Sequence, residues 1–154
     1  MTLSLNRDDD PRNMEQLPVY TTKYLFSAVK GVLSEVQKDS PGMKTALDLP
    51  AGSGALTKFL HEDLRFEVEA ADIDNSKWLY TKCNFRQVDA NGPLPYQDEQ
   101  FELVVCLEGL KHFSNINHTL REFNRVLKPG GHLVLTIPND LCMQSRFRYL
   151  FDGF

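Results

Sequence analysis

The stretch Thr45-Ala46-Leu47-Asp48-Leu49-Pro50-Ala51-Gly52-Ser53-Gly54 narrows the folds open to this chain more than any other. A short apolar run carrying one carboxylate gives way to a turn of small residues, and Ala55–Leu64 then reads as a helix. Strand, turn and helix in that order are the unit from which open α/β sheets build a nucleotide-type pocket above their strand ends. Small residues suit the turn because a bulkier one would hold the backbone away from a bound molecule. Such a turn can also be purely structural, so the ligand has to be read from the rest of the chain.

The alternation continues along the sequence. Tyr20–Lys38 carries Tyr24, Leu25, Val29, Val32, Leu33 and Val36 at helical spacing and stops at Ser40-Pro41-Gly42. Strands are predicted at Lys44–Leu49, Phe66–Ile73, Phe85–Val88, Phe101–Leu107 and His132–Ile137. Helices are predicted at Ala55–Leu64, at Asn75–Cys83 with Asp74 or Asn75 as cap, and at Ile116–Leu127, closed by Pro129-Gly130-Gly131. The pattern predicts an α/β, Rossmann-like, doubly wound and mainly parallel sheet of about five strands, with helices on both faces in a three-layer sandwich. One domain is expected over residues 19–154, preceded by a polar, flexible arm at residues 1–18.

A net charge of −4 gives no general drive toward nucleic acid or an anionic membrane, and neither is expected as a partner. Arg146 and Arg148 are the candidates for a local basic patch. Cys83, Cys106 and Cys142 form no CxxC pair, and the N-terminus has no apolar signal core. A reducing, cytoplasmic setting is expected. The four histidines lack metal-ligand spacing, so no metal is expected.

Dinucleotides and S-adenosylmethionine both suit the opening turn. A dinucleotide site wants GxGxxG, whereas Thr57 stands at the position of the last glycine and Pro50 removes a donor from the loop. Asp48 would repel a pyrophosphate but could receive an amino group, directly or through water. Asp72, at the end of the second strand, can accept both hydroxyls of a ribose, which serves either ligand. Asp74 reads better as a solvated or helix-capping residue. Trp78 and Tyr80 could border an adenine, and core packing accounts for them equally well.

Four blocks in order, DLPAGSG, AADIDNS, VDANGPLPYQDEQFELVVCLEGLKHF and REFNRVLKPGGHLVLTIPN, resemble the class I S-adenosylmethionine-dependent methyltransferases. The likeness runs from about Thr45 to Asn139 and is strongest toward the small-molecule group that includes the ubiquinone-biosynthesis type. It implies that Asp48, Pro50, Ala51, Gly52 and Gly54 form the cofactor cradle, with Pro50 where the family usually has glycine. It further implies that Asp72 binds the ribose, that Ile73 packs beside the adenine, and that Asp89 and Ala90 meet the adenine edge. Leu107 and Glu108 match positions on the methionine side and at the pocket mouth. The activity implied is methyl transfer to a small-molecule acceptor.

A sulfonium methyl is already activated, so alignment of the nucleophile can supply roughly 7–11 kcal/mol of the barrier without a metal or a triad. His112, with Glu108 four residues before it, is a candidate for a catalytic base, although it reads more naturally as packing over the cofactor or capping a helix. Glu108 reads more naturally as pocket wall. The family sheet has an antiparallel pair of strands after the fifth, and this sequence stops one helix-like stretch, Leu141–Phe154, beyond it. A C-terminally short domain is therefore expected, with a possible homodimer through the exposed edge at His132–Ile137 or through that final segment. Two competing readings stand beside the methyltransferase. One is a catalytically silent S-adenosylmethionine-binding domain acting with a partner chain. The other, an NAD-dependent oxidoreductase, is disfavoured by Thr57 and by the Asp89 block.

Overall fold

A computed structural model describes residues 17–19, 21 and 23–137. The elements run α1 (Lys23–Asp39), β1 (Thr45–Asp48), α2 (Ala55–Lys58), β2 (Glu67–Asp72), β3 (Asn84–Gln87), β4 (Phe101–Cys106), α3 (Ile116–Val126) and β5 (Leu127–Leu135). The strands form one sheet in the order β3-β2-β1-β4-β5, and every neighbouring pair is parallel. The chain thus winds outward from β1 to β3, returns, and winds outward again from β4. The reversal of order lies between β1 and β4, where a sheet of this kind opens a crevice above its carboxyl ends.

Side chains alternate across the sheet, as the two-residue period of a strand requires. Ala46, Val68, Leu103 and Val105 face α1 and α2, where they meet Val29, Leu33, Leu56 and Leu60. Leu47, Val104 and Cys106 face the opposite way, toward Phe123 and Val126 of α3. A parallel strand covered on both faces needs an unbroken apolar run, and Leu103–Cys106 supplies it. On α1, the Lys30 ammonium lies 4.3 Å above the ring centre of Phe59, the residue that follows α2, so the helix is held there by a cation over an aromatic face as well as by apolar packing.

Three expectations need correction. The helix predicted at Asn75–Cys83 is one 3₁₀ turn, Asn75–Lys77, capped by Asp74, whose carboxylate accepts from the Ser76 amide at 2.9 Å. Beyond it the chain is extended at Trp78, which sends Trp78 and Tyr80, two residues apart, to the same side. A helix would point them about 200° apart. Second, Ala55–Leu64 does not stay α-helical: α2 widens into a π-helical turn at Phe59–Asp63. Third, Pro129-Gly130-Gly131 does not merely close α3 but lies within β5. Leu127 pairs with Phe101 and His132 with Leu103, so the extra residues bulge, with Gly130 at φ +77°.

At the ends, Leu17 is buried and the Pro18 carbonyl accepts a 2.5 Å hydrogen bond from the Ser53 hydroxyl, so these two residues of the expected arm are fixed to the domain. Residues 1–16, and Leu141–Phe154 with Cys142, Arg146 and Arg148, lie outside the described residues.

The connection from β3 to β4, residues 88–100, carries no helix and is held instead by Arg125 of α3. Its guanidinium donates to the Leu94 and Tyr96 carbonyls at 3.0 and 2.9 Å and to Asp98 and Glu122 at 2.7 Å each. Glu122 in turn accepts from the Leu94 amide at 2.7 Å, and these bonds hold its carboxyl at about 2. Arg125→Ala removes bonds to two carbonyls and two carboxylates and is expected to lower stability by about 1–3 kcal/mol. Urea unfolding checks the loss, and faster amide exchange at Leu94 and Tyr96 would place it in this connection.

Candidate active site

The turn after β1 is set by backbone bonds to both neighbouring strands. The Leu49 amide donates to Val105 at 3.0 Å and the Ala51 amide to Ala71 at 2.9 Å. Pro50, between them, has no amide to leave unsatisfied. Its ring fills the space beside Gly109, where an added Cβ would meet Pro50 Cδ at 2.5 Å and Cys106 Sγ at 2.6 Å. The turns after β1 and β4 are thereby locked together over the switch point. Gly54 has a similar constraint on its other side. At φ +87° it lies so close to the next segment that a Cβ would sit 2.6 Å from Tyr80 Cβ and 2.8 Å from the Trp78 ring.

A cavity of about 420 Å³ opens above these turns, a size usual for small-molecule sites. Its lining includes Pro50, Ala51 and Gly52 from the first turn, Asp72 and Ile73 from the end of β2, Asp89 and Ala90 after β3, and Leu107, Glu108 and His112 after β4. Asp72 is held from two directions, by the Gly52 amide at 2.8 Å and the Asp74 amide at 3.1 Å. Each bond uses one lone pair, leaving others for a ligand hydroxyl. Ile73 is 59% exposed although it adjoins Asp72 on the cavity wall. Asp89 accepts from Asn91 through both its amide, 2.9 Å, and its side chain, 2.8 Å. Ala90 is pinned by its carbonyl, which accepts from the buried Thr119 hydroxyl of α3 at 2.8 Å.

The rim after β4 is built around Glu108, which has φ +57°, a conformation uncommon without glycine. Its amide donates to Thr136 Oγ1 at 2.7 Å, and its carboxylate pairs with Lys111 at 2.9 Å. The Glu108 carboxylate is thus committed to a cation, while His112 stands exposed on the cavity wall. Pro18, Val19 and Phe26 close another side. No described helix is long and apolar enough to cross a membrane, and no described cluster of His, Cys, Asp or Glu could hold a metal ion.

Nearly all the residues singled out in the sequence thus converge on one cavity, but Asp48 and Gly54 do not line it. Asp48 is fully buried; Oδ2 accepts from the Thr57 hydroxyl at 2.6 Å and Oδ1 has no hydrogen-bond partner among the described residues. Thr57, in the place of a dinucleotide glycine, is therefore the partner of the strand acid. Gly54 serves the packing of the turn on Trp78 and Tyr80, and those two aromatic residues also lie off the cavity. Thr136 and the wall from Pro18 to Phe26 were missed, because a lone threonine after a strand and an N-terminal apolar residue carry no motif.

Two outcomes follow. Gly54→Ala is expected to cost about 1–3 kcal/mol through overpacking, whereas Gly42→Ala, with nothing within 4 Å, should stay within about 0.5 kcal/mol in the same denaturation experiment. Burial, with a smaller push from Asp72 and against the Thr57 bond, raises the Asp48 carboxyl from 3.8 to about 7. Folding then binds a proton at this site, so its contribution is full below the ordinary value of 3.8 and is lost as pH rises toward 7. At about 1.4 kcal/mol per unit the loss is on the order of 4 kcal/mol. Asp48→Asn should flatten stability between pH 5 and pH 7, and an unchanged slope in urea titrations across that range would contradict the assignment.

A family model described as a methyltransferase domain matches residues 47–135. The ubiquinone/menaquinone biosynthesis C-methyltransferase UbiE of Shewanella sp. (strain ANA-3) is 38% identical over 113 aligned residues, covering 66% of this chain and 45% of that protein. Its counterpart in Shewanella baltica (strain OS155 / ATCC BAA-1091) is 37% identical over 114, with the same coverage. The chain spans less than half the length of these curated relatives. Among solved structures, the PH0226 protein from Pyrococcus horikoshii OT3 superposes with a TM-score of 0.61 at 26% identity, over 75% of this chain and 58% of that one. A putative S-adenosyl-L-methionine-dependent methyltransferase from Methanococcus maripaludis shares the fold, with a TM-score of 0.56 at 20% identity, over 85% and 67% of the two chains. With its cradle, both strand-end acids and the Lys128–Gly131 bulge inside a match that spans more than half its length, this chain belongs to the methyltransferase-domain family.

Proposed function

We propose that the cavity binds S-adenosylmethionine and that the chain directs transfer of its methyl group to the carbon of a small-molecule acceptor. One observation carries the cofactor half: Ile73, a large apolar side chain, is 59% exposed on a wall shared with the carboxylates Asp72 and Asp89. That surface suits a nucleoside, whose flat base needs apolar cover and whose ribose hydroxyls and amino group need acceptors. Carbon as the acceptor atom is supported by the relatives, which are C-methyltransferases of ubiquinone and menaquinone biosynthesis.

When bound, S-adenosylmethionine supplies an activated methyl on a cationic sulfur. The chain's own part is placement. Asp72, fixed by the Gly52 and Asp74 amides, receives the ribose hydroxyls. Asp89 and Ala90 border the base, and the backbone of Pro50–Gly52 approaches the amino-acid portion closely because no large side chain stands there. The acceptor enters at the rim, between Phe26, Phe113 and His112. With Glu108 paired to Lys111, His112 is the rim group left to take a proton from the acceptor. Orientation supplies most of the acceleration, on the order of 7–11 kcal/mol for well-aligned reactants.

Calorimetric titration tests the cofactor half. S-adenosylhomocysteine should bind saturably and NAD should not; the reverse result would sink the proposal. Asp72→Ala should weaken S-adenosylhomocysteine by about 1–3 kcal/mol, the cost of leaving hydrogen-bonding groups unmatched.

A further inference from the structure

Asp48 ends β1, the central strand, and is followed at once by Leu49 and Pro50, which line the cavity. Its carboxyl is fully buried, one oxygen is bonded to Thr57, and the other has no partner among the described residues. Apart from Thr57, the groups that bear on it do not favour a negative charge. Asp72, on β2, is a second carboxylate, and the thiols of Cys83 and Cys106 are pushed by burial to about 11 and about 12, so both stay neutral. Across the turn the cavity wall carries Asp74, Asp89, Glu108, Lys77, Lys111 and His112. Lys77 pairs with Asp74 at 3.7 Å and Lys111 with Glu108 at 2.9 Å. Among the described residues, Asp48 makes no hydrogen bond or ion pair to a cation. A carboxylate buried in this way is a charge awaiting a counter-charge.

On the reading above, the two ligands that alternate in the cavity differ by one positive charge. The donor is a sulfonium, while the demethylated thioether is neutral at sulfur. We propose that Asp48 distinguishes them from behind the cavity wall: entry of the cation expels the Asp48 proton to solvent, and entry of the neutral thioether leaves it in place. The turn keeps water from the carboxyl, so a cation in the cavity acts on it through a poorly screening medium. Transfer of the methyl removes that cation, Asp48 takes a proton back from solvent, and the hold on the spent cofactor is weakened relative to the donor. Asp48 is thus a specificity-determining residue that touches neither ligand. Its protonation near neutral pH, raised there by burial, is what makes the exchange of a proton measurable.

The test uses the whole chain, with S-adenosylmethionine (no acceptor present) and S-adenosylhomocysteine as probes. Calorimetry at pH 7 in phosphate and in Tris reports protons released on binding. The donor should release up to about half a proton more than the thioether, and the ratio of donor to thioether affinity should rise about five- to tenfold from pH 6 to pH 8. Asp48→Asn should remove both effects, and any release that survives in it belongs to the ligand or to other groups. Thr57→Val, a second variant, should move the rise to higher pH by removing the bond that favours the ionised carboxyl. His112→Gln should leave the rise in place. Equal release with both probes, a flat affinity ratio, or a rise that persists in Asp48→Asn or disappears in His112→Gln would overturn the proposal. If neither probe binds, the cofactor reading falls with it; if both bind with a flat ratio, this inference alone falls.

Discussion

The bond from the Gly52 amide to the Asp72 carboxylate, 2.8 Å long, joins the turn after β1 to the end of β2. It does two jobs with one acceptor. It satisfies a turn amide that no strand reaches, and it aims the carboxylate that faces the cavity. A carboxylate accepting backbone amides is fixed in direction far better than one held by flexible cations, because the donors cannot rotate away. Everything on the β2 side of the cavity is placed relative to this contact: Asp74 follows it through the second amide bond, and Ile73 is exposed between them.

Around that contact, rigidity comes from close approach and not from helix. Gly109 admits the Pro50 ring, Gly54 admits Trp78 and Tyr80, and the long β3–β4 connection is tied by Arg125 rather than by repeating structure. Interiors transmit such constraints because they are packed as densely as organic crystals. A cavity assembled from turns can in this way be as well defined as one built on regular elements, provided each turn has a neighbour it cannot move past.

The five strands, their parallel arrangement and the two-sided core were readable because apolar periodicity and a parallel sheet's need for continuous burial act locally, as in Leu103–Cys106. The cavity acids were readable because each stands at a strand end. The chain past Asn75 was not, since its conformation is dictated by where Trp78 and Tyr80 must pack and not by the helix-compatible residues around them. Asp48 illustrates a deeper limit. Sequence places an acid beside a ligand turn, but whether it faces the ligand or lies behind the cavity wall depends on Thr57, nine residues later, reaching back to claim it.

Glu108 holds a left-handed backbone conformation at the cavity rim, and the partner of its amide is the hydroxyl of Thr136, the first residue after β5. Conformations of this kind typically cost about 1–3 kcal/mol and last only where neighbours over-determine them. The rim is therefore anchored at an edge strand of the described sheet as well as at its centre, where Pro50 packs against Gly109. A pull on the end of β5 is thus felt at the cavity mouth through the Thr136 hydroxyl, and through the Thr136 amide that donates to the Cys106 carbonyl at 3.1 Å.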